Sequence, residues 1–378
     1  MLTPAAGIYT CAVAIKRSLY GAGVMKARAA ALPVVCVGNL TVGGTGKTPM
    51  VEYVARALIV SGHRPAIVSR GYKRATPHDQ LVIVSDGRQA LASAAEGGDE
   101  PVLLARSLPG VPVAVCADRL RACAAVAETG LCDCIVLDDG FQHWRLARDA
   151  DIVLIDATAD LGRLRLLPAG PLREPLTALR RAAAIVHTKI PPPGAARGSI
   201  SFYVKNHAIA AQFAPRIPQF AATFHADTIV PLERYVLENA ARNDVPDRPA
   251  ESLLGRKLLA FAGIAQPENF FGALRELADR VHEIAFNDHH SFSKDDIHSL
   301  AVAARGRNCG AIVTTAKDAV KIAPFAAIFT LPVFVLLQRI ELDDAASFLR
   351  LIIDSLNTTG SRSANCCRNM PDGVLADR

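Results

Sequence analysis

The chain lacks the patterns that mark membrane-spanning, disulfide-bonded and nucleic-acid-binding proteins. None of its apolar runs is long enough to cross a bilayer, so no transmembrane helix is predicted. Its nine cysteines include no C-x-x-C pair, and their positions do not indicate a disulfide framework. This use of cysteine favours a reducing, cytosolic compartment. Arginine-rich stripes interleaved with aromatic residues are also missing, so nucleic acid is not expected as a partner. No internal repeat is found.

The chain is rich in hydrophobic residues and carries a mild excess of positive charge. Hydrophobic residues make up 51% of the 378 positions. This length is enough for about two domains. The formal net charge of +6 suits an anionic substrate or an anionic membrane surface.

The most informative segment is a glycine-rich turn between a short apolar run and a helical pattern. Residues 34–48 read VVCVGNLTVGGTGKT, where the run Val34–Val37 predicts a buried strand. Glycines let backbone N–H groups close around an anion, and the N-terminus of the following helix adds partial positive charge. Lys47 would reach the outer phosphates, and the hydroxyl of Thr48 would ligate magnesium. The residues of this predicted phosphate loop are Thr41, Val42, Gly43, Gly44, Thr45, Gly46, Lys47 and Thr48.

The loop departs from the general G-x-x-x-x-G-K-[ST] pattern at one position. Thr41 stands where the first glycine is expected, and Gly43 and Gly44 supply the flexibility slightly later. An ordinary glycine-rich turn between a strand and a helix is the alternative interpretation. The strand before the loop and the helix after it favour nucleoside-triphosphate chemistry.

Short apolar runs alternate with helical patterns through the first half of the chain. This alternation predicts an α/β fold, with a parallel sheet of the phosphate-loop NTPase type, helices on both faces, and a site at the carboxyl ends of the strands. The predicted strands are Val34–Val37, Ala66–Ser69, Val111–Cys116, Cys134–Leu137, Ile152–Ile155 and Ala184–His187. The predicted helices between them are Val51–Val60, Pro101–Ser107 and Arg119–Glu128.

The alternation breaks at Pro191-Pro192-Pro193-Gly194 and resumes near residue 256, which predicts a second, smaller α/β domain. Its predicted strands are Leu258–Ala262, Ile284–Phe286, Ala311–Thr314 and Val333–Leu336, and its predicted helices are Pro267–Ala278 and Ser293–Arg305. We therefore expect an N-terminal helix at 1–30, a phosphate-loop domain at 31–200, a connecting segment at 201–255, the second domain at 256–350 and a disordered tail at 351–378.

The N-terminal segment has the pattern of an amphipathic helix. Ile8, Ile15 and Leu19 fall on one helical face, and basic residues such as Lys16 and Arg17 follow on or near it. A signal peptide would carry its charges before the apolar stretch. Two interpretations remain open from the pattern alone, a helix that lies on a membrane surface and a helix that packs on the domain it precedes.

Acidic residues stand at the ends of two predicted elements in the first half of the chain, a strand and a helix. Asp138 and Asp139 end the strand at Cys134–Leu137, where an acid can face a magnesium ion held by the loop threonine. Asp99 begins a helix after Gly97-Gly98, and these glycines would let the turn approach a ligand. A polar strand end and a helix N-cap are the respective structural alternatives.

A polar cluster, Asn287-Asp288-His289-His290, follows a predicted strand of the second half. A histidine paired with a carboxylate for proton transfer, a metal site and a plain surface turn are its three interpretations, and adjacent histidines rarely reach one ion. Arginines past the ends of predicted segments suggest an anionic ligand beyond the nucleotide. They are Arg70, Arg119 and Arg173.

These motifs together resemble those of the tetraacyldisaccharide 4′-kinase family of lipid A biosynthesis. The segments that carry the resemblance are, in order, GNLTVGGTGKTP, SRGYKR, GGDEP, DDGFQH, LPAGPLREP, FAGIAQPENFF, NDHHSF and TAKDAVK. They cover roughly residues 5–345. The late motif has Ala316 where the family often has Glu, and Asn287 replaces a small residue or proline.

The resemblance implies a kinase that transfers the γ-phosphate of ATP to the 4′-hydroxyl of a tetraacyldisaccharide 1-phosphate, an acylated glucosamine disaccharide, and so forms lipid IVA. It implies ATP as co-substrate and Mg²⁺. It also implies peripheral or monotopic binding to the membrane surface, on the cytoplasmic face of the bacterial inner membrane, and so favours the membrane interpretation of the N-terminal helix.

Residue roles carried over by motif follow from the same resemblance. Asp99 would accept the proton of the sugar hydroxyl with help from His289, and Lys47 would assist the transfer. Since Asp99 and His289 lie in different predicted domains, closure of these two domains would complete the site. The implied magnesium ligands are Thr48, Asp138 and Asp139, and the implied contacts to substrate or phosphate are Arg70, Arg119, Gln142, His143 and Arg173.

Two other functions compete with the kinase. A nucleotide-switch or metal-delivery GTPase would need a guanine-reading N/T-K-x-D segment, and Thr315-Ala316-Lys317-Asp318 fits that pattern. Its late position, far from the loop's own sheet, argues against this function. A soluble sugar kinase would leave the basic N-terminal helix unexplained.

Overall fold

In a computed structural model, residues 3–190, 202–236 and 247–367 are described. The strands are β1 (Val34–Asn39), β2 (Pro65–Ser69), β3 (Val82–Asp86), β4 (Pro112–Val115), β5 (Cys134–Asp138), β6 (Ala150–Asp156), β7 (Ala184–Thr188), β8 (Gln219–Pro231), β9 (Arg248–Pro249), β10 (Lys257–Ala262), β11 (Arg280–Ala285), β12 (Ala311–Thr315) and β13 (Val333–Leu342). The helices are α1 (Thr3–Gly21), α2 (Lys47–Val60), α3 (Ala94–Gly97), α4 (Asp99–Ser107), α5 (Arg119–Glu128), α6 (Tyr203–Phe213), α7 (Leu232–Val236), α8 (Pro267–Leu277), α9 (Lys294–Gly306), α10 (Ala316–Ile322) and α11 (Ala345–Cys367).

The strands form one 13-stranded sheet, in the order β11-β10-β12-β13-β8-β7-β6-β1-β5-β2-β4-β3, with β9 beside β8. Most neighbouring strands are parallel, and the antiparallel pairs are β3 with β4, β8 with β13, and β8 with β9. The predicted mixed α/β fold with a large, mostly parallel sheet is therefore confirmed.

Helices cover both faces of the sheet around β1. Successive residues of a strand point to opposite faces. Val35 and Val37 accordingly pack in one apolar cluster with Val54 of α2. Their neighbour Cys36 packs in another with Val126 of α5. Because both faces are covered, all six residues of β1 are buried, which explains its continuous apolar sequence.

Strand β8 connects the two halves of the sheet. Its first residues pair in parallel with β7, beginning with Gln219 opposite Ile185. The remainder pairs antiparallel with β13, from Ala222 to Pro231. The predicted connecting segment thus contains the strand that makes the sheet continuous, while the division into domains stays a prediction.

Some predicted elements differ from the observed ones. The predicted strand Ile284–Phe286 is displaced, because β11 spans Arg280–Ala285 at the sheet edge, where its partly exposed residues give a weak apolar pattern. The disordered tail predicted from 351 is wrong for the first part of that segment, which is helical in α11. Phe348, Ile352 and Leu356 are buried on one face of α11 and join the main core, which explains the helix.

Three predicted features lie partly or wholly outside the described residues. They are the break at 191–194, part of the connecting segment at 201 and 237–246, and the end of the tail at 368–378.

Helix α1 lies against the first half of the chain. The hydroxyl of Tyr9 donates to the carbonyl oxygen of Arg173 at 2.9 Å, and the ring of Tyr20 lies 5.4 Å from that of Trp144. The predicted apolar face points away from these contacts, since Ile8 is 74% and Ile15 is 60% exposed. Among the described residues, no helix combines the length and apolar character needed to cross a membrane.

Candidate active site

The phosphate loop connects β1 to α2 and is held in place by neighbouring strands. The side-chain amide of Asn39 donates to Thr45 Oγ1 at 2.8 Å, and Thr188 Oγ1 donates to the carbonyl oxygen of Thr45 at 2.9 Å. Gly46 has φ +83°, and a side chain there would collide with Phe224, so this position requires glycine. Helix α2 begins at Lys47, which directs the amides of its first turn into the loop.

Asp138 ends β5, the neighbour of β1, and lies beside the loop. Its Oδ2 accepts a hydrogen bond from Ser69 at 3.1 Å, while its buried Oδ1 has no partner among the described residues. Burial, together with repulsion from Glu100 and Asp139, raises the pKa of Asp138 to about 7. A buried oxygen without a partner beside two further carboxylates suits a divalent cation with oxygen ligands.

Asp139 has different partners from Asp138. Arg173 contacts its Oδ1 at 2.9 Å and its Oδ2 at 3.0 Å. Burial acts to raise the pKa of Asp139, but Lys47 and Arg173 outweigh it and hold that pKa below its usual value. Gln142 accepts from Arg173 at 3.4 Å and donates to the carbonyl oxygen of Asn39 at 2.9 Å, which ties Arg173 to the end of β1.

Asp99 and His289 meet although they are 190 positions apart. Nδ1 of His289 lies 3.0 Å from Oδ2 of Asp99. Burial acts to raise the pKa of Asp99, but the hydrogen bond from His289 and the charges of Lys321 and Lys317 lower it below its usual value. The structure thus brings together the acid and the histidine that the sequence places in separate halves of the chain.

Lys317 lies on the other side of His289. Its Nζ is 3.1 Å from Nε2 of His289, 3.1 Å from Asp288 Oδ1 and 3.6 Å from Glu100 Oε1. An ammonium group only donates, so Nε2 of His289 accepts and Nδ1 carries the proton that faces Asp99. Lys317 and Asp99 therefore favour the same tautomer of His289.

The Thr315–Asp318 segment is a structural junction between β12 and α10. Thr315 caps α10 through the amide of Asp318, and buried Asp318 accepts from the amide of Gly263 at 2.8 Å and pairs with Lys321 at 2.9 Å. Asp318 is therefore committed to contacts within the second half of the chain, and this observation argues against a guanine-reading role.

The adjacent histidines contact different carboxylates. His290 Nε2 lies 3.2 Å from Asp296 Oδ2, whereas His289 faces Asp99. A metal site through both side chains is therefore not formed. His289 has φ +63°, a conformation that non-glycine residues adopt rarely and often at functional sites.

A cavity of about 1780 Å³ collects these groups. The phosphate loop, Arg70, Gln142 and Arg173 line it from the first half of the chain, and His289 lines it from the second half. Asp99 lies behind this wall, with its side chain 16% exposed.

Two predicted contact residues, Arg119 and His143, lie away from the cavity wall. Arg119 is buried and donates to the carbonyl oxygen of Ala117 at 2.9 Å. Burial and the charges of Arg119 and Arg148 lower the pKa of His143 to about 4. Neither side chain lines the cavity, and the contact roles of both stay predictions.

Several site residues were not found by sequence reasoning. Ser69, Glu100, Lys189, Lys317 and Lys321 contact the loop or the acidic residues through partners distant in the chain. Four of them lie in segments that carry the resemblance, Ser69 in SRGYKR, Glu100 in GGDEP, and Lys317 and Lys321 in TAKDAVK. Lys189 had only its position just past a predicted strand as a signal.

Comparisons with known proteins agree with this geometry. The family model described as Tetraacyldisaccharide-1-P 4'-kinase (LpxK) matches residues 1–357. Proteins named tetraacyldisaccharide 4'-kinase from Geobacter metallireducens and Geobacter sulfurreducens are both 40% identical. Their matches span 319 and 344 residues, which are 84% and 90% of this chain and 86% and 89% of the relatives.

A solved structure is also similar. The crystal structure of an "apo" form of LpxK from Aquifex aeolicus in complex with ATP matches with a TM-score of 0.72 and 30% identity, and the match covers 94% of this chain and 98% of that one. Family model, relatives and fold therefore agree, and the chain belongs to the tetraacyldisaccharide 4′-kinase family.

Proposed function

We propose that this protein transfers the γ-phosphate of ATP to the 4′-hydroxyl of a tetraacyldisaccharide 1-phosphate. The observation that carries the proposal is that the phosphate loop and His289 line one cavity, with Asp99 hydrogen-bonded to His289 behind its wall. The cavity of about 1780 Å³ exceeds the roughly 300–1,000 Å³ of ordinary small-molecule pockets, which suits two ligands, a nucleotide and a sugar.

Positioning and electrostatics supply most of the catalysis in phosphoryl transfer. The amides of the loop and of the first turn of α2 hold the phosphates, and Lys47 reaches the outer ones. Arg70 and Arg173 line the same cavity and suit the anionic groups of nucleotide and substrate.

Thr48, Asp138 and Asp139 are the residues that would hold Mg²⁺. The unpartnered Oδ1 of Asp138 supports this assignment, and favours Asp138 over Asp139, whose oxygens already bind Arg173. When bound, magnesium neutralises charge that develops on the phosphate oxygens.

Asp99 is the proposed general base. His289 and Lys321 both contact its Oδ2, which leaves Oδ1 to accept the proton of the sugar hydroxyl. Because its pKa is lowered, Asp99 is ionised at neutral pH and ready to accept. A base in this position contributes a rate factor of about 10²–10⁴.

Helix α1 is the proposed membrane contact, at the cytoplasmic face of the inner membrane. Exposed Ile8 and Ile15 supply apolar surface. Lys16 and Arg17 are exposed, donate to Gln142 and Thr177 of the protein, and supply charge for anionic headgroups. An acylated substrate would then be taken from the membrane on which the protein lies.

The test is a transfer assay with the full chain, labelled ATP, magnesium and detergent-dispersed tetraacyldisaccharide 1-phosphate. We expect label in the lipid, and a loss of about 10²–10⁴ in kcat for Asp99→Ala. Asp279→Ala, an exposed acid outside the cavity, serves as the control. GTP hydrolysis without lipid labelling would overturn the proposed reaction, and full activity of Asp99→Ala would overturn the role of Asp99.

A further inference from the structure

Three side chains that can ligate a metal lie together at the edge of the sheet opposite the candidate active site. Among the described residues, the potential ligand atoms of His63, Asp133 and Cys134 all lie within 4.8 Å of one another. His63 precedes β2, and Asp133 directly precedes β5, in which Cys134 is the first residue. Because β2 and β5 are parallel, with Pro65 opposite Cys134, the amino ends of both strands lie at this edge. Asp138 and the phosphate loop lie at the carboxyl ends.

The backbone holds His63 close to Asp133. The N–H of Asp133 donates to the carbonyl oxygen of Arg64 at 2.9 Å, and the N–H of Arg64 donates to Oδ1 of Asp133 at 2.9 Å. The turn after α2 contains Gly62 with φ +86°, and the N–H of His63 donates to the carbonyl oxygen of Leu58 at 3.0 Å. A helix end and a pair of backbone contacts therefore fix the position of His63 before any ligand arrives.

The spacing of the side chains suits a metal ion better than a direct hydrogen bond. Nδ1 of His63 lies 3.7 Å from Oδ1 of Asp133, which is beyond hydrogen-bond range. Bonds of about 2.0–2.3 Å in a tetrahedral arrangement put the ligand atoms around zinc about 3.3–3.8 Å apart. Small rotations of the three side chains therefore bring their ligand atoms within reach of one ion.

Solvent reaches this group from the side of the imidazole and the carboxylate. The side chains of His63 and Asp133 are 25% and 38% exposed, whereas Cys134 is buried. The exposed guanidinium of Arg64 faces the other carboxylate oxygen, Oδ2, at 3.6 Å. A cation can therefore enter past His63 and Asp133 and meet the thiol on the inner side.

The donor set determines the kind of cation. One nitrogen, one oxygen and one sulfur are ligands typical of zinc, whereas magnesium prefers oxygen ligands. We propose that His63, Asp133 and Cys134 form a zinc site, in which water takes the fourth position. On binding, the thiol of Cys134 releases its proton to solvent and the sulfur bonds to the ion. The ion would join the turn after α2 to the start of β5, at the end of the sheet away from the proposed phosphoryl transfer.

Cobalt is the probe for this site, because a thiolate bound to Co²⁺ gives a charge-transfer band in the near ultraviolet that oxygen ligands do not give. The full-length reduced protein is titrated with Co²⁺ in excess magnesium, and zinc is then added to displace the cobalt. The variants are His63→Ala and Cys134→Ala. The matched controls are His298→Ala, an exposed histidine of α9, and Cys309→Ala, a buried cysteine of the second half of the chain. Circular dichroism and the unfolding midpoint check that each variant is folded.

We expect a single equivalent of Co²⁺ to give the band in the unmutated protein and in both controls, and zinc to remove it. Cys134→Ala should lose the band, and His63→Ala should bind Co²⁺ at least about tenfold more weakly. No band in the unmutated protein, or an unchanged titration of either site variant, would overturn the proposal. Because His63 is partly exposed, His63→Ala tests the site even if Cys134→Ala does not fold. The titration contains neither ATP nor lipid, so its result is independent of the proposed kinase reaction.

Discussion

At the scale of single residues, Lys317 supports the Asp99–His289 pair from the other side of His289. It donates to Nε2 of His289 at 3.1 Å, and it is one of the cations that lower the pKa of Asp99. In Lys317→Met, Nε2 of His289 loses its hydrogen-bond donor and the pKa of Asp99 rises. We expect kcat to fall about 10- to 100-fold, because the base is less well oriented.

The pH profile distinguishes this positioning role from a structural one. Asp99 must be ionised to accept a proton, so a raised pKa means that activity is lost at a higher pH as the solution is acidified. The acid limb of kcat/KM in Lys317→Met should therefore move to higher pH, and Lys317→Arg should restore most of the shift. Lys294→Met, an exposed lysine on α9, is the matched control. A lower kcat with an unmoved acid limb would contradict the role of Lys317.

At the scale of elements, α11 packs on the main core through one aromatic residue. Phe348 is fully buried, and its ring lies 6.3 Å from that of Tyr53 and 5.2 Å from that of Phe220. Phe348→Ala leaves a cavity beneath the helix, so we expect the free energy of unfolding to fall by about 3–5 kcal/mol in urea titrations. Arg350→Ala, on the exposed side of the same helix, should change it by less than about 0.5 kcal/mol. Equal midpoints for the two variants would mean that α11 is dispensable for stability.

The elements also show how far sequence patterns reach. Strands β1, β5 and β7 were predicted to within one or two residues, because both faces of the sheet are covered and their apolar runs are continuous. Strand β3 and helix α10 were not predicted, because β3 is a half-exposed edge strand and α10 has only seven residues. Short and edge elements depend on their tertiary neighbours more than on a period of their own.

The candidate site divides in a similar way. Lys47, Asp99, Asp138 and His289 could be named from motifs, because glycine-rich turns and paired acids are local signals. Lys189 could not, since the loop carbonyl it binds lies 145 positions earlier in the chain. Such contacts exist only after the sheet has brought its strand ends to one edge.

At the scale of the whole molecule, helix α1 contacts the candidate active site on one face and solvent on the other. Its inner face reaches the cavity through Tyr9, which lines the wall and donates to the carbonyl oxygen of Arg173. Its outer face exposes Ile8 and Ile15. In the proposed membrane-bound arrangement, this helix would place the cavity at the membrane surface, with the acyl chains of the substrate in the lipid and the sugar in the protein.

The final prediction tests this arrangement with the double variant Ile8→Asp/Ile15→Asp. Burial of each apolar side chain in the interface is worth about 1.5–3 kcal/mol, and the added carboxylates are repelled by anionic headgroups. We expect cosedimentation with vesicles that contain anionic lipid to weaken at least about tenfold, while activity on detergent-dispersed substrate is retained. Val204→Asp/Val302→Asp is the control, since these residues are 80% and 67% exposed, lie on α6 and α9, and are outside the cavity. If both double variants sediment like the unmutated protein, α1 does not hold the protein on the membrane, and the lipid must reach the cavity from solution.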